Sequence, residues 1–189
     1  MKSRLPILLA VALIATAVGG PVIEAEPIVR RLDPEQTKVA FTLGATLHQV
    51  EGTFRLLRGE ITFDPASGEA SGEIVLDIAS GDTGNAKRDR KMHRDILESE
   101  RFPTATFVAE SFAGNYPGSG TLQGRLTFHG DEHSFEIIFE HVDEGPGEGN
   151  VRGSFRIPFV AWGLEDPSTF VLRVEKEVEV TFETLDRAP

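Results

Sequence analysis

The stretch LQGRLTFHGDEHSFEIIF, residues 122–139, decides the fold. Apolar and polar residues alternate on both sides of the segment Gly130-Asp131-Glu132. Alternation with a period of two predicts strands that have one apolar face and one wet face, and glycine beside acidic residues predicts a turn. We therefore expect an antiparallel hairpin, and the apolar residues on its inner face are Leu122, Leu126, Phe128, Phe135, Ile137 and Phe139.

The same alternation continues outward in both directions. Further apolar runs lie around Phe41, Phe54, Ile61, Ile74, Phe107 and Phe155, and a last run is predicted from Phe170 through Leu172 to Phe182. Short strands at regular spacing, joined by glycine- and proline-bearing turns, predict a sandwich or a barrel, and a barrel has no exposed strand edges. The sequence therefore predicts one all-β domain over residues 32–185, an antiparallel barrel of about eight strands, preceded by a flexible lead-in over residues 21–31.

One segment, NAKRDRKMHRDILESERFPTATF at residues 85–107, interrupts the strand pattern. Met92 and Ile96 are four residues apart and share one face of a helix, while basic residues cover most of the remainder. Pro103 ends this pattern. We expect one short helix near residues 84–98, with Asp82 or Thr83 as its N-cap. Its apolar stripe would close one end of the barrel.

The first residues have the layout of a secretory signal peptide. Lys2 and Arg4 precede an apolar run over residues 5–18, and small residues follow it. This run is short for a membrane span. We expect a signal peptide over residues 1–20, cleaved between residues 17 and 25, and a periplasmic or secreted protein without stable membrane insertion after cleavage.

Charge and cysteine content exclude several classes of function. The net charge is −11, and removal of Lys2 and Arg4 with the signal peptide would lower it to about −13. Nucleic-acid phosphates repel a chain of this charge, so no nucleic-acid partner is expected. The chain contains no cysteine, which excludes disulfides, thiolate catalysis and cysteine-ligated metals.

The predicted interior combines large rings with missing side chains. The chain has 13 phenylalanines but one tyrosine and one tryptophan, and most of the phenylalanines share the inward parity with Ala105, Ala109, Gly124 and Gly153. An eight-stranded barrel either fills itself with side chains or holds a slender ligand. Parity alone leaves both readings open. Trp162 is likewise either a structural anchor or part of a tunnel wall.

The last predicted strand places one charge on the inward face. Counting by two from Phe170 points Lys176 inward, and a buried lone ammonium is costly. Three explanations stay open: a bulge that returns Lys176 to solvent, a position at the barrel mouth, or an inward charge that meets a carboxylate or an anionic ligand.

An ordered set of segments resembles the YceI-like family. RDRKMHRDILESERFPTATF (residues 88–107) is similar to the signature segment of that family, with its Arg-Asp pair, its histidine-containing helix and its aromatic-Pro approach to the next strand. LDPEQTKVAFTLGATLHQVEGTF, GEITFDP, DIASGDTGN and GRLTFHG resemble other family segments in order. PFVAWGLEDPSTFVLRVEKEVEV departs from the family pattern and indicates a divergent subgroup.

The resemblance implies a lipocalin-like barrel with an apolar tunnel, in a family of periplasmic or secreted proteins of which some bind polyisoprenoids or other lipids. We therefore expect non-catalytic transport or storage of a long-chain apolar molecule in the cell envelope, with no cofactor. The apolar interior residues expected to contact the ligand are Phe41, Phe54, Phe107, Leu126, Phe128, Phe135, Ile137, Phe139, Phe155, Trp162, Phe170 and Leu172. Those expected at the mouth, near a headgroup, are Arg88, Asp89, Met92, His93, Ile96 and Lys176.

Two other classes of function stay open at this point. His129 and His133 are weak candidates for a metal site, which would favour a metal-assisted hydrolase, although they flank a turn and do not share a helix face. A structural or stress-responsive interaction module with a filled barrel is the other class. The Arg88-Asp89 pair is interpreted first as structural, since such a pair can pin a helix to a barrel rim. The oligomeric state is open, and a homodimer is compatible with the sequence.

Overall fold

The computed structural model describes residues 26–46, 48–145, 148–170 and 172–187. The predicted signal peptide, residues 1–20, and its cleavage range lie outside the described residues. Among the described residues, no helix has both the length and the apolar character needed to cross a lipid bilayer.

Nine strands and one helical segment make up the described chain. The helical segment begins as an α-helix, α1 (Ala86–Lys91), and continues directly as a π-helical turn (Met92–Ile96); we call the two together the lid. The strands are β1 (Ile28–Leu32), β2 (Lys38–Gly44), β3 (Gln49–Phe63), β4 (Ala70–Asp82), β5 (Thr104–Gly114), β6 (Ser119–Phe128), β7 (Asp131–Gly145), β8 (Glu148–Ile157) and β9 (Val178–Arg187).

These strands form a closed antiparallel barrel with eight strand positions, as the sequence predicted. Each strand from β2 to β9 pairs with its two neighbours around the ring, and the pairing of β3 with β4 closes it. The short strand β1 lies between β3 and β9, as β2 does, so β1 and β2 are two parts of one interrupted strand. The end of the predicted flexible lead-in, residues 28–31, therefore belongs to the sheet, because its backbone pairs with that of residues 60–63.

The hairpin predicted for residues 122–139 forms between β6 and β7, with its turn one residue earlier than expected. Phe128 pairs with Asp131, so the turn consists of His129 and Gly130. Their φ angles are 53° and 89°. Two-residue turns with positive φ at both positions match the right-handed twist of the flanking strands. Burial alternates along β6, which confirms the inward face read from the sequence.

The last predicted strand is partly wrong. β9 begins at Val178, and residues 158–177 form a long connection across one end of the barrel. The last part of this connection runs beside the end of β2, where Val174 bridges to Ala45 and the Glu175 backbone N–H donates to the Gly44 carbonyl oxygen at 2.9 Å. Side chains replace strand partners here: the backbone N–H of Val174 donates to Ser168 Oγ at 3.0 Å, and that of Leu172 donates to Thr169 Oγ1 at 3.0 Å. Counting by two from Phe170 therefore does not predict which way these side chains point.

Candidate functional site: an apolar cavity inside the barrel

The barrel encloses a cavity of about 430 Å³. Small-molecule sites commonly measure about 300–1,000 Å³. Side chains from all eight strand positions, from the lid and from the connection 158–177 line the cavity, and carbon atoms make up nearly all of its surface. The interior is therefore not filled, which removes the premise of the filled-barrel module.

Most of the predicted interior residues line this cavity. They are Phe41, Phe54, Phe107, Leu126, Phe128, Phe135, Ile137, Phe139, Phe155 and Leu172. Several of their rings, among them Phe54, Phe135 and Phe155, are only partly buried although they point inward. The part of each ring that stays accessible faces the cavity, where a bound molecule would cover it.

Two predicted interior residues lie elsewhere. Phe170 is fully exposed, with a relative accessibility of 104%, because the connection turns outward at this point. Trp162 stacks flat on His133, with ring centroids 3.9 Å apart and an interplanar angle of 6°, and is absent from the cavity lining. The sequence left two roles open for Trp162, a structural anchor or part of a tunnel wall. The structure supports the structural anchor.

The inward glycines Gly52 and Gly153 leave no empty space beside them. A methyl group at Gly52 would lie 2.5 Å from the Phe41 ring, and one at Gly153 would lie 2.7 Å from the Phe182 ring. Phenylalanine rings therefore occupy the space above these glycines, an arrangement that rigidifies sheets. An eight-stranded ring is wide enough to leave such a hollow, and here the inward side chains do not fill it.

The lid closes part of the upper end, where β4 leads into the helix. Asn85 is its N-cap, and the Asn85 side chain accepts hydrogen bonds from the backbone N–H groups of Lys87 and Arg88. The expected caps, Asp82 and Thr83, lie before it. Met92 and Ile96 line the cavity, as their four-residue spacing predicted.

Arg88 and Asp89 both bind Thr83. Arg88 Nε donates to Thr83 Oγ1 at 2.8 Å, and a terminal guanidinium nitrogen donates to the Thr83 carbonyl oxygen at 2.9 Å. Asp89 accepts from the Thr83 backbone N–H at 3.0 Å and from its hydroxyl. The pair thus fastens the lid to the end of β4. Arg88 also lines the cavity, whereas Asp89 does not.

The Asp89 contacts predict a pH dependence of stability. The Thr83 hydroxyl donates to Asp89 and, with smaller effects of Arg88 and His93, holds the pKa of this carboxyl below its ordinary value. A lowered pKa means that the ionised group stabilises the fold above the unfolded-state pKa of about 3.9, and that this contribution is lost as the pH falls toward the folded-state pKa.

We expect Asp89→Asn to lower the free energy of unfolding at pH 7 by about 1 kcal/mol, the size of a lost hydrogen bond. The difference from the parent should shrink as the pH falls below about 4. Urea unfolding at a series of pH values measures both effects. Asp131→Asn, in the exposed start of β7, removes the same charge and is the matched control. A pH-independent loss would contradict the assignment.

His93 connects the lid to the barrel instead of facing a headgroup. Its Nε2 lies 2.8 Å from the Gly81 carbonyl oxygen, and its Nδ1 lies 2.9 Å from the Oγ of buried Ser99. Because a carbonyl oxygen only accepts, Nε2 carries the hydrogen. Both ring nitrogens are thereby engaged, and His93 is absent from the cavity lining.

Lys176 lies outside the cavity and in solvent. Its Nζ donates to Asp166 and, at 2.9 Å, to Ser168 Oγ. The Lys176 ammonium is the main cause of the lowered Asp166 pKa, which falls to about 2. This pair joins the middle of the connection 158–177 to its C-terminal end. Of the three explanations left open for Lys176, a side chain in solvent holds, although the cause is a connection that is not a strand and not a bulge within one. The expected position near a headgroup is wrong, because Lys176 is absent from the cavity lining.

His129 and His133 do not converge on one site. The His129 ring packs on Phe102 with centroids 4.4 Å apart, and its Nε2 lies 3.3 Å from Glu98 Oε1, without hydrogen-bond geometry. His133 is stacked on Trp162. Within the described part of the chain, no group of three or more His, Cys, Asp or Glu side chains is placed to hold a metal ion.

Known proteins share the sequence pattern and the fold of this barrel. A profile of the YceI-like domain matches residues 31–185, most of the chain. The chain belongs to the YceI-like family. A UPF0312 protein of Vibrio cholerae is 31% identical over 109 residues, which cover 56% of this chain and 58% of that protein, so the alignment spans little more than half of the relative.

Two solved structures show the same YceI-like fold. Burkholderia cenocepacia BcnA has a TM-score of 0.67 and 21% identity, and the match covers 82% of this chain and 98% of BcnA. A polyisoprenoid binding domain from Saccharophagus degradans, implicated in plant cell wall breakdown, has a TM-score of 0.58 and 15% identity, covering 87% and 100% of the two chains. At these identities the likeness concerns the fold alone.

This YceI-like cavity also has polar lining residues that the sequence analysis missed. Lys91 and His48 lie at the upper end, and Arg30 and Tyr116 lie at the lower end, where Arg30 Nε donates to Tyr116 Oη at 2.8 Å. Arg30 was missed because it lies in the predicted lead-in. Lys91 was assigned to the solvated helix face; it is exposed as expected, but it also borders the cavity.

Proposed function

We propose that this YceI-like protein binds a long-chain apolar molecule, an isoprenoid or another lipid, non-covalently inside the barrel and carries or stores it without catalysing its conversion. The observation that carries the proposal is the continuous apolar cavity inside a closed barrel. The shared fold with a polyisoprenoid binding domain supports it.

The physical driving force is the transfer of a hydrocarbon chain out of water. Each buried methylene contributes about 0.8 kcal/mol. The cavity wall offers rings such as Phe54, Phe135 and Phe182, whose inner faces stay accessible without a ligand. Since the wall is preformed by a hydrogen-bonded ring of strands, little conformational entropy is lost when a ligand enters.

We propose further that the protein works in the cell envelope. The pattern of residues 1–20, a positive start, an apolar run and small residues, supports export. Fractionation of the source cells, followed by mass analysis of the intact protein, tests this. We expect an envelope or secreted protein that has lost its first 17–25 residues; a full-length cytoplasmic protein would contradict it.

Native mass spectrometry tests the ligand directly. We expect protein purified from its own host without detergent to carry an added mass that organic extraction removes and identifies. The matched control is the same protein refolded after extraction, which should show the apo mass alone. Repeated gentle preparations that contain only the apo mass, and that take up no added isoprenoid or lipid, would contradict the proposed function.

A further inference from the structure

The charged groups of the cavity wall all have one sign. The chain contains 30 Asp and Glu against 19 Lys and Arg. Apart from the Tyr116 phenol, the ionisable residues that line the cavity, among those the structure describes, are nevertheless Arg30, His48, Arg88 and Lys91, with no carboxylate. In an acidic protein this selection is the opposite of what its composition favours. These lining groups favour a bound anion over a bound cation.

The two ends of the cavity differ in how much donor capacity they offer. At the lower end, the Arg30 guanidinium donates to Tyr116 Oη and to the Val29 carbonyl oxygen and lies 5.1 Å from the Tyr116 ring centroid. At the upper end, Lys91 Nζ makes no hydrogen bond or ion pair with the described residues. Asp95 accepts from Arg94 at 2.6 and 2.8 Å, which is the main cause of its lowered pKa, and the Lys91 charge lowers that pKa further through space.

The upper end is also where the cavity meets solvent. Among the described lining residues, His48 and Lys91 are the exposed ones; the others are buried or half-buried. His48 precedes β3, and Lys91 ends α1, beside half-buried Arg88. We call these three residues, His48, Arg88 and Lys91, the mouth. Of the residues that the sequence analysis expected near a headgroup, this set includes Arg88. A molecule whose tail occupies the cavity would have its polar end here, in contact with water and with three cationic or protonatable side chains.

We propose that the mouth binds an anionic headgroup, a carboxylate or a phosphate, so that the ligand class is long-chain anionic amphiphiles and not neutral lipids. This inference rests on the proposed function and makes it more specific. A tail in the cavity supplies affinity without regard to the head, whereas Lys91 and Arg88 donate charge-assisted hydrogen bonds, which are stronger than neutral ones. The head therefore decides between ligands that have the same tail.

Displacement of the fluorescent apolar probe N-phenylnaphthylamine measures this selectivity. The competitors are palmitate, hexadecyl phosphate and hexadecanol, which share one saturated chain and differ in the head. We expect both anions to bind about tenfold or more tightly than the alcohol, as one or two charge-assisted bonds predict. Added salt should weaken binding of the anions and leave the alcohol unchanged, since exposed charges are screened.

Lys91→Gln and Lys87→Gln are the matched variants. Both remove one positive charge from the exposed face of α1, but Lys87 does not line the cavity. We expect Lys91→Gln to weaken the two anions about tenfold and to change hexadecanol less than about twofold. Lys87→Gln should leave all three affinities within about twofold. Lys91→Arg should restore anion binding, which shows that a loss in Lys91→Gln is not a folding defect.

The outcomes separate the two proposals. If the three competitors bind equally tightly, or if Lys87→Gln matches Lys91→Gln, the headgroup proposal is overturned while ligand binding in the cavity stands. If the dye and all competitors fail to bind the folded protein, the proposed function is overturned, and the headgroup proposal with it. Selective loss of both anions in Lys91→Gln, with rescue by Lys91→Arg, supports it.

Discussion

Ala105→Phe should reduce the affinity for any long-chain ligand by about a hundredfold, because the added ring would occupy space that the ligand chain needs. Ala105 lies on β5, is buried and lines the cavity. A ring that excludes about four methylenes from the cavity costs about 3 kcal/mol of binding free energy, at about 0.8 kcal/mol each. The same probe displacement, or lipid uptake measured by native mass spectrometry, gives the change.

A second inward position and a control position on the outer face of the barrel complete this test. Val180 on β9 lines the cavity from the opposite side of the ring, four strand positions from β5, so Val180→Phe should act as Ala105→Phe does. Val108→Phe adds a ring to the outer face of β5, where Val108 is 38% exposed, and should leave binding unchanged. Because the inward rings enter empty space, we expect their free energies of unfolding to change by less than about 1.5 kcal/mol.

Unchanged affinity in both folded inward variants would contradict binding inside the barrel. It would move any ligand to the outer surface. Loss of affinity in Val108→Phe as well would point to a general effect of added rings on the sheet. The losses in the inward variants would then not support binding inside the barrel.

The sequence predicted the wall of this cavity better than the cavity itself. Alternation fixes which side chains share a face, since a register slip of one residue would place all of them on the wrong side. Phe41, Phe107 and Phe139 were assigned correctly on this basis. Whether opposing rings meet depends on the number of strands and their stagger, which are properties of the closed ring. Parity therefore left a filled and a hollow barrel equally compatible with the sequence.

The errors lie where local chemistry replaces the strand pattern. Between Ile157 and Val178 the chain keeps apolar residues at even spacing, but Ser168 and Thr169 satisfy backbone groups that a strand would pair with its neighbour. The inward position of Phe170 was wrong for this reason, and the same connection places Lys176 in solvent. Side-chain to backbone bonds of this kind compete with sheet formation at serine and threonine.

The sequence also does not predict which basic side chains of the lid reach the cavity. The sequence shows five basic residues in the lid region, and their pattern alone assigns most of them to solvent. Which of them reaches the cavity depends on the angle at which the lid lies on the barrel. The bonds from Arg88 and Asp89 to Thr83 and from His93 to Gly81 set that angle. Thr83 and Gly81 belong to the strand end and its turn, so the signal is a tertiary one.

Gly124→Ala should lower the free energy of unfolding by about 3 kcal/mol or more. Gly124 is buried on β6 opposite Ala109, beside an irregularity in the pairing of β5 with β6. A methyl group there would lie 2.0 Å from the Val108 carbonyl oxygen and 2.9 Å from its carbon. Both atoms belong to the backbone, so relief requires the two strands to separate.

Gly44→Ala is the matched control. The nearest atom to a methyl group at Gly44 lies at 2.5 Å, but it belongs to the Glu175 carboxylate at the end of a flexible side chain. Neither Gly44 nor Gly124 has a positive φ, so backbone strain does not distinguish them. We expect Gly44→Ala to change the free energy of unfolding by less than about 1 kcal/mol, since alanine loses less conformational freedom on folding than glycine.

Denaturant unfolding gives the free energies of unfolding of Gly124→Ala and Gly44→Ala. Their difference measures the strain that arises because β5 and β6 lie so close together at Gly124. A closed ring has no free edge along which one strand pair can relax without loosening the others, so the strain of Gly124→Ala should spread to the cavity and also weaken ligand binding. Equal stability of the two variants would mean that β5 and β6 can move apart at little cost in free energy. The cavity would then have no fixed width, and its selectivity for ligand length could not be set by the barrel.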